Sequence, residues 1–368
     1  MISEYEKYYK AYKHVCAGKM GEWNQMAYRY YLEANLFDIR NSLLDKTFTP
    51  DAFRIKALYV PKSRIAQVPS VNDKIVQHLI CDNYAYDALT KPFIRSTTAT
   101  IKNRGTDDAR NILKTQLRSF WSKYKRKPYI LKCDIHHYFN SISHDRVIRL
   151  IDKYVADDDI KWVMVQFVNM TDMGLPLGLQ QSQILANLYL SELDHITMDK
   201  FHFKYYGRHM DDFYIISDDR KKLERYYRWL VKYVNSIGLS LNPKTKITYG
   251  KFDYLGFNFR LTDTGKVVMR IATSKIKQKR RHLKLMIKQL DNGEIITKQF
   301  EDKYFSYRQH LLKGDTRSLA RSLDNYLNEK LHDIGYGLAI KKHPNGKKIK
   351  WRVHVYRVKE EKREICQE

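Results

Sequence analysis

The stretch Tyr205-Tyr206-Gly207-Arg208-His209-Met210-Asp211-Asp212-Phe213-Tyr214-Ile215-Ile216 sets two adjacent acids between two largely apolar runs. Short runs rich in aromatic and β-branched residues read as strands. A carboxylate left unpaired in a core is too costly to keep. The pair must therefore lie at the tip of a hairpin over Phe203–Ser217. A second apolar run, Tyr129-Ile130-Leu131-Lys132-Cys133, ends at Asp134. If its strand lies beside the hairpin, three carboxylates meet. Asp157–Asp159 and Asp218-Asp219 lack such flanks and read as solvated acids.

The remaining pattern builds a frame around that hairpin. Residues 1–125 read as helices around a strand-like stretch, Ala57–Ile65, followed by a helix from Asn72 to Tyr86. The Tyr5, Tyr8, Tyr9, Tyr12 stripe at helical spacing is packing. A middle block runs strand Pro128–Ile135, helix Ser143–Val155, helix Gln180–Lys200, the hairpin, helix Lys221–Ser236 and strand Leu239–Tyr249. Ser143 is the expected N-cap, with Val147, Leu150, Ile151 and Tyr154 as the buried stripe. After a strand region at Phe252–Arg260, residues 274–335 become helical and basic, and Leu338–Val358 reads as a hairpin around Asn345-Gly346. Strands with helices packed on them make an α+β fold.

Charge then narrows the partner. The 368 residues hold 67 Lys+Arg against 41 Asp+Glu, a formal net charge of +26, with 28 tyrosines and 15 phenylalanines. Such an excess on a chain with 43% hydrophobic residues is no disordered tail; it faces a polyanion, and aromatic faces that stack on bases favour nucleic acid over a membrane surface. Helix-spaced Lys275, Lys277, Lys279, Arg280, Arg281 and Lys284 lie opposite Ile276, Leu283, Met286, Ile287 and Leu290, so one side packs and the other meets phosphate. Lys341, Lys342, Lys347, Lys348, Lys350 and Arg352 extend that character into the tail. The four cysteines form no C-x-x-C pair, and no apolar h-region or membrane-length stretch occurs, so a soluble cytoplasmic protein without a membrane partner is expected.

Clustered carboxylates repel one another unless a cation neutralises them, and hard oxygen donors suit Mg²⁺. Two such ions ~3.5–4 Å apart can activate an attacking hydroxyl and stabilise the leaving oxygen of an in-line phosphoryl transfer. In motif order the chain resembles the bacterial reverse transcriptases from about Ala57 to Phe259. Asp134 to Phe139 is similar to the family's D-x-x-x-x-[FY], and His209-Met210-Asp211-Asp212 to its [YF]-x-D-D. The run Gly174-Leu175-Pro176-Leu177-Gly178-Leu179-Gln180-Gln181-Ser182-Gln183 resembles its LPQG-x-x-x-SP segment. Pro61-Lys62-Ser63-Arg64 with Asp73-Lys74-Ile75-Val76-Gln77-His78 resembles a fingers motif, Leu241-Asn242-Pro243-Lys244 the palm lysine motif, and Tyr254-Leu255-Gly256-Phe257 the primer grip.

The resemblance implies a right-hand polymerase with an α+β architecture: an N-terminal helical region and fingers over 1–125, a palm with a ferredoxin-like antiparallel sheet and the primer grip over 126–260, a helical basic thumb over 261–335, and a basic hairpin tail over 336–368. It implies two Mg²⁺ ions, with Mn²⁺ as substitute, on Asp134, Asp211, Asp212 and the Ile135 carbonyl. Lys62 and Arg64 would neutralise the dNTP triphosphate, Phe139 would bar a ribose 2′-OH, and Lys244 would protonate pyrophosphate or merely contact backbone. Leu177, Gly178, Ser182 and Gln183 would border the nucleotide; Arg104, His209, Tyr254, Leu255 and Gly256 would touch nucleic acid, with Arg104 and Gly105 alternatively capping the next helix. Leu177 and Gln183 stand where the family has Gln and Pro, a pattern that resembles the reverse transcriptases of diversity-generating retroelements. Standalone reverse transcriptases of phage defence share the short layout. A structured noncoding RNA template, a cDNA product, and an accessory protein or second copy are the expected partners. The rival reading, a catalytically silent RNA-binding scaffold, sits badly with three carboxylates retained in context.

Overall fold

The computed structural model describes residues 4–17, 23–58, 64–345 and 348–358. The chain separates into two units, Met1–Tyr249 and Gly250–Glu368. This break falls before the expected palm boundary at 260, because the segment read as primer grip belongs, among the described residues, to a three-stranded sheet with Val267–Ile271 rather than to the sheet that carries Tyr129–Cys133.

In the first unit, where the sequence suggests one strand over Ala57–Ile65, two strands pair antiparallel, β1 (Arg54–Leu58) and β2 (Arg64–Val68). The helix Val71–Ile80 opens with a capping box, in which Ser70 accepts from the Asp73 N–H while the Asp73 carboxylate accepts from the Ser70 N–H. It continues through a π-helical turn, Cys81–Ala85, into the helix Tyr86–Thr90.

Strands β3 (Tyr129–Cys133), β4 (Tyr205–His209), β5 (Asp212–Ser217) and β6 (Lys246–Tyr249) form an antiparallel sheet in the order β4-β5-β3-β6. β5 is buried along nearly its whole length because helix Arg220–Ser236 packs on it and on β3, while helix Thr106–Tyr124 packs against β4. The expected strand Leu239–Tyr249 is mostly loop, joined to Ile135 by a single bridge at Leu241 before β6 begins. The expected helix Gln180–Lys200 is three pieces, Gln180–Tyr189, Ser191–His195 and a π turn Ile196–Lys200, broken at Leu190. Ser143 sits at the N-cap of helix His144–Tyr154 as expected, though its side chain makes no capping bond. Asp157 and Asp219, read as solvated acids, instead cap helices: Asp157 accepts from the N–H of Asp159 and Ile160, and Asp219 from that of Lys222.

In the second unit, β7 (Lys251–Tyr254), β8 (Phe257–Leu261) and β9 (Val267–Ile271) make an antiparallel meander. Helices Thr273–Asp291, Thr297–Leu312 and Arg317–His332 follow, and then the hairpin β10 (Tyr336–Asn345) and β11 (Lys348–Arg357), which packs on the last two helices. Among the described residues no helix is long and apolar enough to cross a membrane.

Candidate active site

Register assembles the acids. Cys133 pairs with Phe213 across β3 and β5, which sets the following residue, Asp134, against Asp212. His209 pairs with Asp212, leaving Met210 and Asp211 as a two-residue hairpin loop. Such loops need a positive φ at their first position, normally supplied by Gly. Met210 adopts it at φ 60°, strain of the kind found at functional sites. Burial, with Asp134 adding its negative charge, pushes the Asp211 carboxyl up to about 6. Asp212 is likewise pushed up to about 6, chiefly by burial, although Lys132 opposes the shift.

Two further side chains attend these carboxylates, and neither was singled out above as a site residue. Lys132 forms an ion pair with Asp212. It stands two residues before Asp134 and so on the same face of β3, a signal the strand period offers. Asn242 donates from Nδ2 to Asp134 Oδ2 at 3.1 Å and from its backbone N–H to the Asp134 carbonyl at 2.7 Å. The bridge between Ile135 and Leu241 runs its hydrogen bonds through Asp134 O and His136 N, so it does not use the Ile135 carbonyl. The Asn242 side chain also accepts from the Lys244 N–H, which shapes the turn carrying the exposed Lys244.

Behind the hairpin lies a second charged cluster, fully buried. Arg208 and Asp194 are both inaccessible, joined by Nε to Oδ1 at 2.7 Å and Nη2 to Oδ2 at 2.6 Å. Tyr206 and Thr97 hydroxyls complete the carboxylate at 2.6 and 2.8 Å. Arg208 Nη1 donates to the Asn187 side chain and to the Met210 carbonyl at 3.0 Å, and Nη2 to the Asn187 carbonyl. The guanidinium thus grips the strained turn from inside. His209, hydrogen-bonded to Thr98, has its pKa lowered by burial and by the neighbouring Arg110 and Arg208.

A loop faces the segment after β3. The Leu175 N–H donates to the Phe139 carbonyl at 2.8 Å, and a Cβ at Gly174 would lie 2.6 Å from that same oxygen. The Leu177 N–H donates to Gln67 Oε1 at 3.1 Å, and a Cβ at Gly178 would lie 2.7 Å from the Gln67 carbonyl. Phe139 is half-buried, whereas Leu177 is 45% exposed and Gln183 is exposed.

Residues 56–259 match the family model described as reverse transcriptase (RNA-dependent DNA polymerase). The chain belongs to the reverse transcriptase family. An uncharacterized 91 kDa protein in the cob intron of Schizosaccharomyces pombe is 27% identical over 152 residues, 38% of this chain and 18% of that protein. Among solved structures, apo telomerase from Candida tropicalis, truncated from the C-terminal domain, is 13% identical with a TM-score of 0.45, covering 62% of this chain and 58% of that one. Telomerase from Candida albicans, in complex with a TWJ fragment of telomeric RNA, is 14% identical with a TM-score of 0.46, covering 84% and 64%. The helices and antiparallel sheets are those of a right-hand polymerase.

Against the family's motifs, several expected site residues are placed differently. Ser182 is buried with its hydroxyl unpartnered among the described residues, because helix Gln180–Tyr189 turns that face into the core. Tyr254 is likewise buried, packed by Phe252, so its ring is part of the core, and the turn beyond it is made by Leu255 and Gly256, both at positive φ. Arg104 directs Nη1 at the carbonyls of Ile94 and Thr97, both at 2.9 Å, and holds that loop rather than a nucleotide or the next helix, whose N-cap is Gly105. Lys275, Lys277, Lys279, Arg280, Arg281 and Lys284 are exposed on helix Thr273–Asp291, opposite buried Leu283, Met286 and Leu290. Lys62 and Lys347 lie outside the described residues, and of Arg64, Lys348 and Lys350 only the strand positions are described.

Proposed function

We propose that this chain is an RNA-directed DNA polymerase that copies a structured noncoding RNA into cDNA by two-metal nucleotidyl transfer, as part of a bacterial diversity-generating retroelement. The observation that carries the activity is the carboxylate trio Asp134, Asp211 and Asp212 within the family-matched segment, its negative charge opposed by the ammonium of Lys132, which pairs with Asp212. The donor set fits hard divalent cations. It is all oxygen, and two of its carboxyls are shifted toward protonation, a cost that a cation in place of protons removes.

Asp134, Asp211, Asp212 and the Ile135 carbonyl would hold two Mg²⁺ ions, which Mn²⁺ could replace. When bound, such ions supply Lewis acidity and neutralise charge that develops on the transferring phosphate. The chain's own residues do the rest. Asn242 fixes the Asp134 carboxylate, and Arg208 fixes the Met210 carbonyl and with it the loop that carries Asp211. Phe139 bars a 2′-hydroxyl, Lys62 and Arg64 neutralise the dNTP triphosphate, and Lys244 returns a proton to pyrophosphate. The exposed bases of helix Thr273–Asp291, with Lys347, Lys348 and Lys350, hold RNA phosphates.

The retroelement reading rests on Leu177, whose exposed side chain offers apolar contact where a Gln amide would hydrogen-bond. Each ~1.4 kcal/mol of lost discrimination between a matched and a mismatched pair lowers fidelity about tenfold. Deep sequencing of cDNA made on a defined RNA is expected to show frequent misincorporation, reduced by Leu177→Gln. Accurate copying, unchanged by that substitution, would remove the retroelement reading and favour the same polymerase in phage defence.

A further inference from the structure

Away from the carboxylate trio, two imidazoles converge on one carboxylate oxygen. His14, in helix Tyr5–Cys16, places Nδ1 2.9 Å from Asp82 Oδ2, and His78, in helix Val71–Ile80, places its Nδ1 3.0 Å from the same atom. The donor atoms of the three residues all lie within 4.8 Å of one another. The other carboxylate oxygen, Oδ1, accepts from Gln180 Nε2 at 3.0 Å. The carbonyl oxygen of that same amide, Gln180 Oε1, is buried without a partner among the described residues. Asp82 lies in the π-helical turn Cys81–Ala85, a local distortion that recurs at functional sites.

We propose that His14, His78 and Asp82 bind one divalent cation of the zinc class, with Gln180 orienting the carboxylate. Two nitrogens and one oxygen make a donor set that suits Zn²⁺ and disfavours Mg²⁺, which prefers oxygen ligands and water. A tetrahedral ion with bonds of ~2.0–2.1 Å sets neighbouring donors roughly 3.3 Å apart, so the two imidazole–carboxylate spacings, 2.9 and 3.0 Å, need to open by only a few tenths of an ångström, and the two imidazole nitrogens already lie within 4.8 Å of each other. An aspartate carboxyl is ionised at neutral pH, so Asp82 offers the anion a cation needs once each Nδ1 gives up its proton. The His14 side chain is 61% exposed, which leaves an open side for water as fourth ligand and a route for the ion.

The ion would act as a staple. Helix Tyr5–Cys16 is already tied here by Lys7 Nζ, which donates to the Tyr84 hydroxyl at 3.2 Å. Gln180 is the first residue of the helix that follows the Leu177–Gly178 loop. A cation on Asp82 therefore couples the N-terminal helix to the base of a loop in the candidate active site without entering the polymerase chemistry.

The test uses the full, untagged chain stripped with chelator and kept in excess Mg²⁺, which occupies oxygen-only sites. Titration with Zn²⁺ by calorimetry, and with Co²⁺ by visible absorption, is expected to show one equivalent bound with the absorption intensity of a four-coordinate ion. His14→Ala, which removes an exposed imidazole and whose fold circular dichroism verifies, should weaken Zn²⁺ binding by at least about tenfold, and His78→Ala should abolish it. Failure of the wild-type chain to take up Zn²⁺ in excess Mg²⁺, or superimposable titrations of wild type and His14→Ala, would overturn the proposal and leave a hydrogen-bonded cluster.

Discussion

Two clusters of charge sit on one hairpin and are treated in opposite ways. Behind it, Arg208 and Asp194 are fully buried, and both are matched by each other and by Tyr206, Thr97 and Asn187. At its tip, Asp134, Asp211 and Asp212 are only partly buried, and Lys132 forms an ion pair with Asp212. A buried pair that satisfies itself fixes structure, whereas carboxylates forced together without enough positive charge are a place for something to bind. The same hairpin thus carries a rigid anchor and an open electrostatic demand, with only His209 and Met210 between Arg208 and Asp211.

The comparison is broken most severely at the tip. Asp211→Asn or Asp212→Asn should abolish dNTP incorporation in a primer-extension assay while leaving thermal unfolding and RNA binding nearly unchanged. Persistent synthesis in both variants would mean the tip does not supply the demand. Behind the hairpin the pattern should invert. Arg208→Met leaves Asp194 buried without its charge partner, an error of about 3–5 kcal/mol in denaturant unfolding, and joint replacement by Arg208→Met with Asp194→Leu should recover much of it. A single substitution that leaves the unfolding midpoint unchanged would show the rear cluster is no anchor. The smallest effect separates Lys132 from both clusters. If its ammonium stands in for a cation on Asp212, Lys132→Met should lower the Mg²⁺ concentration for half-maximal activity by about three- to tenfold, within ~1.4 kcal/mol. A rise would show that Lys132 serves the substrate phosphates instead.

How legible each cluster is follows from the distance between its partners along the chain. The hairpin tip and Asp134 stand out because acids interrupt apolar strands, a contrast visible within a dozen residues. Asn242 meets Asp134 across 108 positions, and Thr97 meets Asp194 across 97, so pattern alone does not pair them. Lys132 is legible from the period of β3, and the caps at Asp157 and Asp219 from residue type before a helix, where an acid serves as a hydrogen-bond acceptor more than as a charge. The break at Leu190 and the π turn Ile196–Lys200 interrupt a run whose helical periodicity carries no mark of interruption. Tyr254 and Ser182 lie in stretches that match family motifs, yet their side chains are buried, which motif order does not encode.

The loop between Gly174 and Gly178 has a consequence for how such a chain can diversify. At both ends, a single added carbon would collide with backbone, on Phe139 at one and Gln67 at the other. Random change is therefore tolerated poorly in the path of the loop and freely at Leu177, whose side chain leans into solvent between two immovable posts. Substitution at position 177 therefore changes the group the loop presents to solvent, while the two glycine posts that set its path stay the same.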